Sequence, residues 1–86
     1  MLLELFCKRS EQYLECEKEI NKVKGICKIK VWDVDDAEGI AESSYSNIRK
    51  FPTWILRTEN GAELWREEGK VVSGGEILDE IYSWKE

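Results

Sequence analysis

Three cysteines and no histidine bound the chemistry open to this chain of 86 residues. A thiolate is both the nucleophile and the metal ligand of cysteine chemistry. Cys7, Cys16 and Cys27 contain no Cys-x-x-Cys pair. Without histidine a zinc site would need thiolates and carboxylates alone, so this spacing points to no metal and no cofactor. Lys8 and Arg9 follow Cys7 directly, and nearby positive charge lowers a thiol pKa. Leu3, Leu5 and Cys7 alternate onto one face of a first strand, and Cys16 lies on the apolar stripe of the helix that follows. If both thiols enter one strand–helix interface, their Cα atoms could fall in the roughly 4.4–6.8 Å window of a disulfide, with Cys27 a spectator. Cys16, buried mid-helix, would have no help from a helix dipole. Such a pair would be slow, structural or sensing more readily than catalytic.

The elements that position these residues are legible from pattern. Leu2 to Phe6 is a short apolar run, as expected of a strand buried on both faces. Ser10 suits an N-cap and Glu11 the first turn of a helix; Tyr13, Cys16, Ile20 and Val23 form its apolar stripe, and Gly25 closes it. Ile26 to Val34 reads as a second strand, with Ile29, Val31 and Asp33 on one face and Trp32 and Val34 on the other. Asp35 or Asp36 caps a short helix through Ala37, Ile40, Ala41 and Ser44. Pro52 opens the strand Thr53 to Arg57; as the sole proline it has no N–H to donate and can begin a strand but not sit within one. Asn60-Gly61 predicts a type I′ hairpin into a strand from Ala62 to Arg66. Ser73 and Glu76 have the spacing of a capping box before a last helix, whose apolar face is Ile77, Leu78, Ile81 and Tyr82. The order βαβ, α, ββα makes one α/β domain over residues 1–86, a four-stranded mixed sheet with helices on both faces.

Composition narrows the partners. The net charge is −5, which argues against nucleic acid and anionic membranes, since both call for a basic face. No run approaches the roughly 18 apolar residues of a membrane span, and Met1 to Phe6 lacks the basic start of a signal peptide. The odd cysteine count without such a signal suggests reduced thiols and a cytoplasmic setting. The four tryptophans are read as core residues.

The helix ending in Ile48-Arg49, then Phe51-Pro52-Thr53, a strand, Asn60-Gly61, a strand and Gly69 resembles the second half of a thioredoxin or glutaredoxin. With Asp35 after the second strand, the resemblance covers essentially the whole chain. It implies a thioredoxin-like fold and a cis Phe51–Pro52 peptide. It also implies a groove between the start of the first helix and the Pro52 loop, lined by Ser10, Glu11, Gln12, Tyr13, Phe51, Pro52, Thr53 and Gly69. In that family a Cys-x-x-Cys opens the first helix, where the dipole lowers the attacking thiol's pKa. The corresponding four residues here are Ser10 to Tyr13 by the apolar stripe, or Glu11 to Leu14 by distance from Phe6. Neither window holds a cysteine. Cys7-Lys8-Arg9-Ser10 has the Cys-x-x-Ser spacing of monothiol glutaredoxins, but Cys7 follows the strand at once, where the family leaves several residues.

The expectation is a domain with a degenerate active site that binds a protein or an extended polypeptide without catalysis. The alternative is a thiol–disulfide oxidoreductase using Cys7 and Cys16, and the blandest reading is a scaffold whose groove has no role. Nothing in the sequence fixes the oligomeric state.

Overall fold

The computed structural model describes residues 1–84. The elements in chain order are β1 (Leu2–Cys7), α1 (Arg9–Asn21), β2 (Lys28–Asp33), α2 (Ala37–Tyr45), β3 (Thr53–Arg57), β4 (Glu63–Glu68) and α3 (Gly74–Trp84). They form a small α/β domain around one four-stranded sheet of order β2-β1-β3-β4. β1 lies inside the sheet, parallel to β2 and antiparallel to β3, and β4 pairs antiparallel with the outer side of β3. That interior place is why Leu3 through Cys7 are all buried. No helix among the described residues is long and apolar enough to cross a membrane.

Strand alternation sorts the core into two layers. Leu3, Leu5 and Cys7 of β1 pack with Trp54 and Leu56 of β3 against Cys16 and Ile20 of α1 and Ile77 and Ile81 of α3. The other sheet face carries a smaller cluster of Phe6, Val34, Ile48 and Ile55, with Trp32 and Phe51 against it. Glu4 shares that second face, and its carboxylate accepts hydrogen bonds from Arg57 Nε and Trp32 Nε1.

Several ends differ from the sequence expectation, each for a local reason. Lys8, not Ser10, is the N-cap of α1; its side chain makes no cap bond, and Ser10 lies inside the helix. The helix stops at Asn21 with Lys22 as C-cap, and Gly25, at φ +85°, serves the turn into β2 instead. The β3–β4 hairpin is not type I′. Gly61 alone of the Asn60-Gly61 pair has positive φ, +89°, and its N–H donates to Thr58 O at 3.0 Å. A turn closed by one left-handed glycine leaves Asn60 unstrained and shifts the register between Leu56 and Arg57. Asp36 is the cap of α2, accepting from Gly39 N–H at 2.8 Å. The face of α2 is reversed from expectation: Gly39 and Ser43 face inward, while Ile40 and Tyr45 are 52% and 88% exposed. Gly39 dictates this, since a Cβ there would stand 1.8 Å from the Asp33 carbonyl oxygen. On α3, Ile77 and Ile81 are buried as the pattern requires, but Tyr82 is exposed.

Candidate functional site

The start of α1 and the Pro52 loop meet at one end of the sheet, and Gln12 joins them. Its Oε1 accepts from Lys8 N–H at 2.9 Å, replacing the missing side-chain cap, while its Nε2 donates to Phe51 O at 3.1 Å. Asp33, at the end of β2, adds a carboxylate from below. Its Oδ1 accepts from Asp35 N–H at 3.0 Å and lies 3.5 Å from Arg9 N, so it complements the positive end of the α1 dipole. The Arg9 guanidinium stands 4.4 Å from the centre of the Tyr13 ring, a cation–π contact on the outer wall.

The Pro52 loop is held from both sides. The Phe51–Pro52 peptide is cis. Gly69 N–H donates to Pro52 O at 2.8 Å, and Gly69 takes φ +81° to make that approach. Thr53 is fully buried, its hydroxyl donating to Lys50 O at 2.6 Å. The structure thus brings Gln12, Phe51, Pro52 and Gly69 to one place, while Tyr13 packs against the α1–α3 cluster with Arg9 over its ring. Ser10 and Glu11 are exposed on the first turn of α1, and Thr53 supports the loop from beneath. Phe51 is half-buried, and its N–H meets no acceptor among the described residues. Asp33 is not legible as a site residue in the sequence, which places it on one face of the second strand; only its register opposite Cys7 brings it to the site, while Arg9 is legible only as a charge beside Cys7.

The thiols lie under this site. Cys7 and Cys16 are both fully buried in the layer between the sheet and α1, and both are free thiols. Burial pushes the Cys7 thiol up to about 11; Asp33 and Asp35 add to the rise, and Arg9 opposes it without prevailing. The expected activation by neighbouring cations is therefore reversed: the low dielectric and the carboxylate paired across from Cys7 outweigh the guanidinium. Cys16 is pushed up to about 12, first by burial, then by Cys7, Glu15 and Glu19. At neutral pH Cys7 is therefore held in the thiol form, and the thiolate is the nucleophile of cysteine chemistry. Cys27 is half-buried at the start of β2's approach, at the far end of the sheet. Among the described residues no group of three or more Cys, Asp or Glu could hold a metal ion.

No family model matches the chain. No curated protein matches it either. Among solved structures, one described as "Structure of a malarial protein" superposes with a TM-score of 0.69 over 95% of this chain and 93% of that one, at 18% identity. That is a likeness of fold, and it carries no activity across.

Proposed function

We propose that this chain is a thioredoxin-like domain with a degenerate active site, and that it binds an extended polypeptide or protein segment without thiol chemistry. The observation that carries this reading is Gln12. Between the two positions where the family resemblance would put thiols, a side-chain amide spans the gap and bonds the Phe51 carbonyl. The first turn of α1 and the loop are thereby fixed relative to each other, which lowers the ordering cost of binding. The unpaired Phe51 N–H offers a donor to an extended backbone, the mode of recognition by strand addition. Buried Cys7 and Cys16 with raised pKa values give the oxidoreductase alternative no ready nucleophile.

The test has two arms. With dithiothreitol as electron donor, the protein should reduce insulin disulfides no faster than the uncatalysed control. Turnover that disappears in Cys7→Ser would replace this reading with the enzymatic one. In the second arm, peptides selected by phage display on the wild-type protein should lose binding by about tenfold on Gln12→Ala. Selected peptides indifferent to Gln12→Ala and to Tyr13→Ala would remove the groove from the function.

A further inference from the structure

The opposite end of the sheet order holds a second surface that the Pro52 groove does not account for. β4 is an edge strand: it pairs with β3 on one side, and among the described residues no other backbone group bonds to the backbone of residues 63–68. Such an edge presents a row of donors and acceptors ready to pair with another strand. Beside it an open cleft of about 410 Å³ runs between β4 and α3, lined by Trp65, Glu76, Asp79, Glu80 and Ser83. α3 contains no lysine or arginine. Asp79 and Glu80 join no ion pair among the described residues. Glu76 feels Lys70, but the Lys70 ammonium is already held by Glu67 at 2.9 Å.

The charges on the edge discriminate between occupants. Along β4, Glu63 and Glu68 pair with Arg66 and Glu67 pairs with Lys70, so the uncompensated charge beside the edge is that of α3, and a second β4 pairing antiparallel would set one acidic α3 beside another. The net charge of −5 also opposes self-association. A basic strand meets none of this repulsion. Directly opposed strand residues share a face, so Trp65, which pairs with the core residue Leu56, stands on the α3 side of the sheet. A strand added to β4 would set alternate side chains over the same cleft. A lysine or arginine there lays its apolar stem along Trp65 and brings its cation to Glu76, Asp79 and Glu80.

We propose that the β4 edge and its acidic cleft dock an extended basic segment of another protein, added as a fifth strand with alternate Lys or Arg side chains over Trp65.

The probe is the synthetic peptide Lys-Val-Lys-Val-Lys-Val-Lys, titrated into ¹⁵N-labelled protein at low salt. Amide shifts should concentrate at residues 64–68 and 76–83. Asp79→Asn/Glu80→Gln should weaken Kd about fivefold, while Glu38→Gln/Glu42→Gln on α2 should leave it unchanged. Two further peptides carry the same charge but have backbone N-methyl groups, one at every valine and the other at the internal lysines. Only alternate N–H groups of an added strand face its neighbour, so one of the two should bind at least about tenfold more weakly than the other. Equal binding of the two methylated peptides, or equal weakening by the α2 control, would reduce the interaction to diffuse charge and overturn the proposal. Self-association in sedimentation velocity that disappears in Lys28→Glu/Lys30→Glu would assign the edge to β2 of a second copy, and would overturn it as well.

Discussion

The two sides of the sheet are filled by different means. On the α1–α3 side the layer is apolar: Leu3, Leu5, Trp54 and Leu56 meet Ile20, Ile77 and Ile81, all buried. On the α2 side the apolar cluster is small, and a polar network lies beside it. Glu4, 7% exposed, accepts from Arg57 and Trp32, while Arg57 also donates to Ser46 Oγ at 3.2 Å and Gly61 O at 3.0 Å. Arg66 adds a bond to Ser46 O at 2.9 Å. α2 itself touches the sheet through a glycine and a serine. The first side gains free energy from area and tolerates rearrangement of its members. The second depends on close approach and complete hydrogen bonding, so few substitutions fit it.

Gly39→Ala tests that contrast most severely. The added methyl would meet the Asp33 carbonyl oxygen at 1.8 Å and Val34 N at 3.0 Å, both backbone atoms that cannot swing aside. α2 must lift from β2, at a cost of about 3 kcal/mol in urea denaturation, despite the better helix propensity of alanine. A neutral or stabilising result would mean that α2 is loosely seated and the contrast between the two sides is false.

The Glu4–Arg57 pair is the next strongest probe. Arg57→Met leaves the Glu4 carboxylate buried with Trp32 as its remaining donor, and about 2–3 kcal/mol of stability should be lost. Glu4→Leu/Arg57→Met removes both charges and should cost less than the two single substitutions added together. Additive losses in a double-mutant cycle would show that the two groups do not act as a pair.

This contrast also explains what could be read from the residues alone. β1 was visible as an apolar run, α1 and α3 as 3.6-residue stripes, and the β3–β4 connection as Asn60-Gly61, because in each case the pattern reports burial or a turn directly. The face of α2 was not visible. Ala37, Ile40, Ala41 and Ser44 make the more apolar stripe, and only the distance from Gly39 to a neighbouring strand reverses the choice. The Gln12–Phe51 bridge and the Glu4–Arg57 pair link residues 39 and 53 positions apart. No local pattern signals a polar partner at that separation. The location of the candidate site was legible from Pro52 and the start of α1. Its chemistry was legible only as a missing dithiol. The raised pKa of Cys7 follows first from burial, which the strand pattern already implied, and then from Asp33, whose place across from Cys7 only the β1–β2 register reveals.

The thiols offer a pH test of the apolar side. In the folded state Cys7 and Cys16 are raised from 9.0 to about 11 and about 12. An acid with a raised folded pKa favours the folded state only while it stays protonated in both states. That contribution is complete below pH 9, and it is lost as the pH rises from 9 towards 12 because the unfolded chain releases its protons first. Wild-type stability should therefore fall across that window more steeply than that of Cys7→Ala/Cys16→Ala, measured as the difference between the two urea curves. Native protein at pH 8 should react with a thiol reagent at Cys27 well before Cys7 or Cys16. Parallel pH curves, or fast modification of Cys7, would place that thiol outside the dry layer.

The smallest expected effect concerns a polar link on the apolar side. Glu19, on α1, accepts from Gly74 N–H at 2.8 Å and pairs with Lys22 at 3.0 Å. One helix thus caps the N-terminus of another, where a carboxylate suits the dipole; Ser73 Oγ accepts from Glu76 N–H at 3.1 Å and satisfies a second donor of the same turn. The Gly74 bond, then Lys22, hold the Glu19 carboxyl below its ordinary value of 4.5. A lowered folded pKa means stability that is present above the unfolded pKa and is lost as the pH falls through the folded one. Glu19→Gln keeps an oxygen that can accept from Gly74 but loses the charge. It should be modestly less stable than wild type near neutral pH, and the gap should close in acid, as the pH falls below the ordinary carboxyl range and the wild-type carboxyl takes up its proton. Amide exchange at Gly74 should quicken in the variant near neutral pH and match wild type in acid. A gap that stays constant down to pH 3 would mean that Glu19 acts through shape alone, and the cap would join the apolar side's packing instead of standing apart from it.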